Sequence, residues 1–126
     1  MGSTEEHQKL VDDILYDVGS MPEVRVWTRP VGFDFEKNIT YGIPGEADIQ
    51  GIVFPFGRHL HIEVKSGNAV LSKKQKARQA VMVMFGAHYI VGKNREEVRL
   101  EVAQLVALEK SKWDMICCLT QTRTRP

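Results

Sequence analysis

This 126-residue sequence predicts an α/β domain built round a mixed central sheet, and three observations carry that prediction. Helix-period stretches stand at both ends and once in between, β-period runs fill the gaps, and the resulting order is helix, three strands, helix, strand, helix. A strand, crossover helix and strand in succession pair in parallel, whereas two strands joined by a tight turn pair antiparallel, so the sheet must hold both senses.

The elements follow in chain order. Leu10, Val11, Ile14, Leu15 and Val18 recur at helical spacing up to Gly19, which places an amphipathic helix over about residues 4 to 18. Its acidic start, Glu5 and Glu6, suits the positive end of the helix dipole. Val24 to Arg29 alternates apolar with polar and stops at Pro30, as a strand does. Residues 30 to 46 hold three glycines and two prolines and read as an extended loop, with room for an irregular hairpin through Phe33 to Lys37.

Ala47 to Phe54 is β-rich, Pro55-Phe56-Gly57-Arg58 is a turn, and Leu60 to Lys65 alternates again. Leu60, Ile62 and Val64 share one face of that strand; His59, His61, Glu63 and Lys65 share the other. Ser72 with Gln75 forms a capping box that opens a helix with an apolar face of Ala77, Ala80, Val81, Met84 and Phe85, ending near Gly86. His88 to Val91 is a short buried strand, and Asn94 with Glu97 caps a last helix running to about Lys112. Residues 1–119 form one domain, and the tail from Thr120 to Pro126 reads as disordered.

Composition narrows the class without naming a function. The formal net charge is only +1, so any affinity for a polyanion must come from how Lys and Arg are distributed. No apolar stretch approaches the roughly 20 residues that cross a bilayer, and the N-terminus lacks the basic and apolar regions of a secretion signal. Cys117 and Cys118 are neighbours, which seldom bridge, so reduced thiols in a soluble cytoplasmic protein are expected.

The chemistry concentrates in a short stretch. Glu63 and Lys65 sit two apart on one strand, so their side chains leave the same face about 6 to 7 Å apart. An isolated Glu-x-Lys is usually a surface ion pair. Asp48 changes its weight: it follows the Gly45-Glu46-Ala47 turn, and a hairpin through residues 55 to 58 brings it alongside the far end of the partner strand. Asp48 also has a plainer reading, as an Asx residue stabilising its turn.

Two carboxylates at one place repel and raise each other's pKa unless a cation lies between them. Mg²⁺ suits such a site, taking one or two carboxylates, a carbonyl, several waters and a substrate phosphate. A metal so placed, with a Lys beside it, is the machinery of phosphodiester hydrolysis. A rival assignment gives His59, His61 and Glu63 to Zn²⁺, but leaves Asp48 and Lys65 without a role. Trp27 and Trp113 read as packing residues, with no third aromatic at a stacking interval.

Gly45-Glu46-Ala47-Asp48, fourteen intervening residues, Glu63-Val64-Lys65, Gly57-Arg58 between them and Gln75 opening the next helix together resemble the PD-(D/E)XK nuclease superfamily. Within it, the chain is most similar to the small VRR-type nuclease domains, such as those that phages carry as single-domain proteins. Ala47 stands where that family usually has a proline before the motif aspartate.

The resemblance implies a restriction-endonuclease-like core and a Mg²⁺- or Mn²⁺-dependent DNA endonuclease. Asp48, Glu63 and the Val64 carbonyl would be metal ligands, Lys65 would assist the nucleophile, and Gln75 would lie near the site. An acidic residue of the first helix is also implied, for which Glu5 and Glu6 compete. Branched DNA such as a Holliday junction is the implied substrate, and a homodimer the implied assembly. Lys73, Lys74, Lys76 and Arg78, beside the inferred site, are candidates to grip DNA phosphates, with Arg29, Arg25, Arg123 and Arg125 as lesser ones. The alternative is a non-catalytic nucleic-acid-binding module of the same fold, or a protein-interaction domain using the final helix.

Overall fold

The computed structural model describes residues 2–29, 32–43 and 45–120. Helix α1 spans Gly2–Gly19, β1 Val24–Thr28, β2 Gly32–Asp34, β3 Ile39–Tyr41, β4 Ile49–Val53, β5 Arg58–Val64, α2 Lys73–Met84, β6 His88–Gly92 and α3 Arg95–Thr120. Four strands form one sheet in the order β1-β4-β5-β6, and β2 with β3 forms a separate antiparallel pair, close to where the sequence leaves room for a hairpin through Phe33 to Lys37. The observed order therefore holds two more strands than the sequence predicts. Both are only three residues long, too short to show an alternating pattern.

The sheet is mixed for the expected reason. The turn at Phe54 to Gly57, with Gly57 at φ 71, folds β5 back antiparallel on β4, while α2 carries the chain over to a parallel β6. One face is a dry core: Val11, Ile14 and Val18 of α1 and Val98, Val102 and Val106 of α3 pack on Val24, Ile49, Leu60, Ile62 and Ile90. Burial of these aliphatic side chains is the main favourable contribution to folding.

At one end of that face α3 carries a buried acid. Glu109 is fully buried, with the Arg58 Nε at 3.0 Å, the Lys112 Nζ at 3.4 Å and the His88 Nε2 at 3.5 Å from its carboxylate. Burial opposes its ionisation, but hydrogen bonds from Arg58 and Lys112 outweigh that and hold its pKa below the usual carboxylate value. Beyond this point α3 continues to Thr120, past the predicted end near Lys112, with Trp113 packed edge-on against Phe56 at 5.9 Å. Thr120 is helical, contrary to the expected disorder, and the remaining tail lies outside the described residues. Cys117 and Cys118 are free thiols.

The other face of the sheet corrects two expectations. Asp48, Gln50, His61, Glu63 and Tyr89 form a polar layer there, and His61 and Glu63 are 1% and 2% exposed, unlike the surface ion pair that a Glu-x-Lys usually makes. Helix α2 covers this layer, and it turns Gln75, Arg78 and Met82 inward. The predicted apolar side, with Val81, Met84 and Phe85, therefore faces solvent, and α2 has no buried residue. Polar strand residues call for polar helix residues opposite them, and Gln75 and Arg78 meet that need.

Candidate functional site

The site begins at a glycine. Gly45 adopts φ +87, and a Cβ there would stand 2.9 Å from the Lys74 carbonyl oxygen, so only glycine lets this turn lie against the first turn of α2. The turn delivers Asp48 to the start of β4. Because Ile49 pairs with Ile62, Asp48 faces Glu63 one step further along, and its Oδ2 accepts a hydrogen bond from the Val64 N–H at 2.8 Å.

Glu63 is gripped from two sides: Gln75 Nε2 donates to its Oε2 at 2.8 Å, and Lys65 Nζ lies 3.5 Å from the same oxygen. Gln75 serves as cap and contact at once. Its Oε1 accepts from the Ser72 N–H at 2.9 Å in the capping box, which leaves the amide N–H₂ aimed at the carboxylate. The structure thus brings Asp48, Glu63, Lys65 and Gln75 together.

It does not bring Glu5 or Glu6 there. Both are exposed on α1, and neither has a hydrogen bond or ion pair with the cluster among the described residues. His7 approaches instead. Its Nε2–H donates to the Val64 carbonyl at 2.9 Å and lies 3.6 Å from Asp48 Oδ2. Helical phase explains the exchange: His7, four residues before Val11, falls within the buried stripe, while Glu5 and Glu6 are rotated more than about 100° from its centre. Sequence reasoning missed His7, although its register with Val11, Ile14 and Val18 marks it.

Burial raises the Glu63 carboxyl to about 7, helped by the charge of Asp48 and a hydrogen bond between the two carboxyl groups and opposed by Lys65. Near neutral pH a proton thus relieves the repulsion that a cation could relieve equally well. Glu63 Oε1 is buried with no hydrogen-bond partner among the described residues. No three His, Cys, Asp or Glu side chains meet as a metal-holding group among those residues. Two carboxylates and the Val64 carbonyl, which with Asp48 flanks the same His7 nitrogen, suit a hard cation that keeps several waters. His59, His61 and Glu63 do not converge: His61 stacks on Tyr89 and faces His59 at 3.3 Å, while Glu63 turns to Gln75 and Lys65.

A folded-state pKa above the unfolded one means that the native protein binds the extra proton between about 4.5 and 7, so this contribution to stability is lost as pH rises through about 7. His61, lowered to about 4 mainly by burial, acts oppositely between about 4 and 6.5. Glu63→Gln isolates the first effect. Without added metal, its Tm relative to the unmodified chain is expected to climb between about pH 5 and pH 8; a constant difference would refute the assigned protonation.

Of the cationic candidates, Lys73, Lys74 and Lys76 are exposed on α2, while Arg78 is half-buried beneath it. Arg29 reaches Glu46 at 3.3 Å. Arg25 donates to the backbone oxygens of Pro22 and Val24, and Arg123 and Arg125 lie outside the described residues. Among the described residues no helix is long and apolar enough to cross a membrane. Set beside models of protein families, curated proteins and solved structures, the chain matches none.

Proposed function

We propose that this chain is a divalent-metal-dependent DNA endonuclease with a restriction-endonuclease-like core. The observation that carries the reading is the buried carboxyl pair of Asp48 and Glu63, with Glu63 held partly protonated, one oxygen unpartnered, and a lysine ammonium beside it. A chain that only bound DNA would gain nothing from crowding two acids where phosphates must come.

Asp48, Glu63 and the Val64 carbonyl would hold Mg²⁺ or Mn²⁺. Bound there, the ion would supply charge neutralisation and a more acidic water. The chain's own residues supply the rest. Gln75 holds Glu63 in place, His7 and the Val64 N–H fix the carbonyl and Asp48, and Lys65 offers its ammonium to charge developing on the phosphoryl oxygens. Exposed Lys73, Lys74 and Lys76 on the covering helix give the DNA backbone a landing surface. Branched DNA is the substrate class to try first.

The test is incubation of junction, flap, duplex and single-stranded DNA with Mg²⁺, with Mn²⁺ and with EDTA. Shortened strands only where metal is present are expected. A gel shift of equal strength in metal and EDTA, without product, would instead make the chain a binding module.

A homodimer follows from the same reading. The outer side of α2 exposes Val81, Met84 and Phe85, and α3 exposes Leu108, Met115 and Leu119, surface that a second copy would cover. Sedimentation across concentration is expected to show a dimer; a monomer at all concentrations would remove that part of the proposal.

A further inference from the structure

Beside the carboxyl pair, on the same polar face of the sheet, lies a cavity of about 540 Å³, within the range of pockets that hold small organic ligands. The sheet side presents Gln50, His59 and His61, and α2 closes it with Arg78. Arg29 and Glu46 line both this cavity and the groove of about 530 Å³ that holds Asp48 and Gln75, so the two spaces adjoin.

Residues that line the cavity carry buried polar atoms that lack partners, which a polar occupant relieves if these side chains turn towards it. Gln50 Nε2, His61 Nδ1, Glu46 Oε2 and Arg78 Nε are buried with no hydrogen-bond partner among the described residues, and Gln50 and His61 are 4% and 1% exposed. Leaving such groups unpaired costs roughly 1–3 kcal/mol each, so together they call for a polar occupant.

Their chemistry selects among occupants. A metal ion is disfavoured by the donors of Gln50 and Arg78, and a phosphate by the Glu46 carboxylate. An apolar ligand would leave every one of these groups unpaired. Donors and an acceptor at fixed positions match the edge of a nucleobase, which presents both along one side. Met82, turned inward from α2, supplies apolar surface for a ring face.

We infer that this cavity receives one nucleobase of the DNA, turned out of its stack beside the scissile bond, with Gln50, Glu46 and Arg78 hydrogen-bonding its edge. The inference rests on the nuclease reading above. It also bears on substrate class: extruding a base costs least where pairing is already broken, so bases next to a branch point or mismatch are favoured.

The experiment maps the cut positions with Mg²⁺, then places 2-aminopurine at each nucleotide flanking the cut and titrates protein with Ca²⁺ replacing Mg²⁺, confirming that the strands stay intact. A several-fold fluorescence rise at one position is expected, lost in Gln50→Leu while gel-shift binding persists, and lost also in Arg78→Leu. Because Gln50→Leu removes an unpartnered buried amide, its Tm should hold or rise, which separates a ligand contact from a structural one. DNA that is bound and cut with no fluorescence change at any flanking position overturns the base pocket alone, as does a rise that both variants retain. A chain that neither binds nor cuts DNA overturns the nuclease reading and this inference with it.

Discussion

Lys65→Ala is expected to reduce DNA cleavage at saturating Mg²⁺ by at least about 10²-fold, the usual consequence of removing one group that stabilises developing charge in a water-poor site. The ammonium is largely buried and lies 3.5 Å from Glu63 Oε2. Its loss removes both that stabilisation and the cation that counters the raised pKa of Glu63. Residual activity should therefore shift to higher pH, because Glu63 would need a higher pH to ionise. Folding should survive, since the strand is held by the ladder to β6 and by the Lys65 N–H bond to the Gly92 carbonyl, which the substitution keeps. Asp48→Ala should match the loss but is less clean, because Asp48 also accepts from the Val64 N–H. Single-turnover cleavage with a thermal melt decides it: a Lys65→Ala protein that cuts within a few-fold of the unmodified chain excludes the assigned role.

The largest stability effect is expected away from the site, at Glu109. Glu109→Ala should lower stability by about 2–4 kcal/mol, near the range for breaking a buried pair, since it leaves the Arg58 guanidinium opposite an empty position. For a chain of this size that is a Tm drop on the order of 10 °C. Arg58 and Lys112 are partly exposed and can turn to water, which keeps the loss from going higher. The depressed pKa of Glu109 adds a pH signature. Its contribution is present above the unfolded carboxylate pKa and lost as pH falls below it, so the gap between Glu109→Ala and the unmodified chain should narrow in acid. A melt at neutral pH that moves by only a degree or two would show that the Arg58 and Lys112 contacts stabilise α3 docking little.

Much of the fold was legible because its signals are periodic. Apolar residues every three or four positions mark α1 and α3, and strict alternation in β5 sets Glu63 and Lys65 on one side of the strand. The carboxyl pair was legible too, since a hairpin around Gly57 leaves only one end of β5 for Asp48 to meet. Helix α2 was misread because its apolar residues suggested a buried side, whereas the sheet face beneath it is polar and draws in Gln75 and Arg78. The α1 contact differs for a related reason: the resemblance implies an acidic residue there, but helical phase carries His7 to the site and leaves Glu5 and Glu6 exposed.

By itself the sequence determined the helix and strand periods, the sense of the turns and the two-residue spacing of Glu63 and Lys65, all of which depend on neighbours within a few residues. Only the tertiary structure decided that Glu63 and His61 are buried, that Glu63 holds a proton up to about pH 7, and that Arg29 and Glu46 separate the carboxyl pair from a second polar cavity. Burial and long-range charge depend on which distant segments come to lie over a residue, and no local pattern in the chain encodes that.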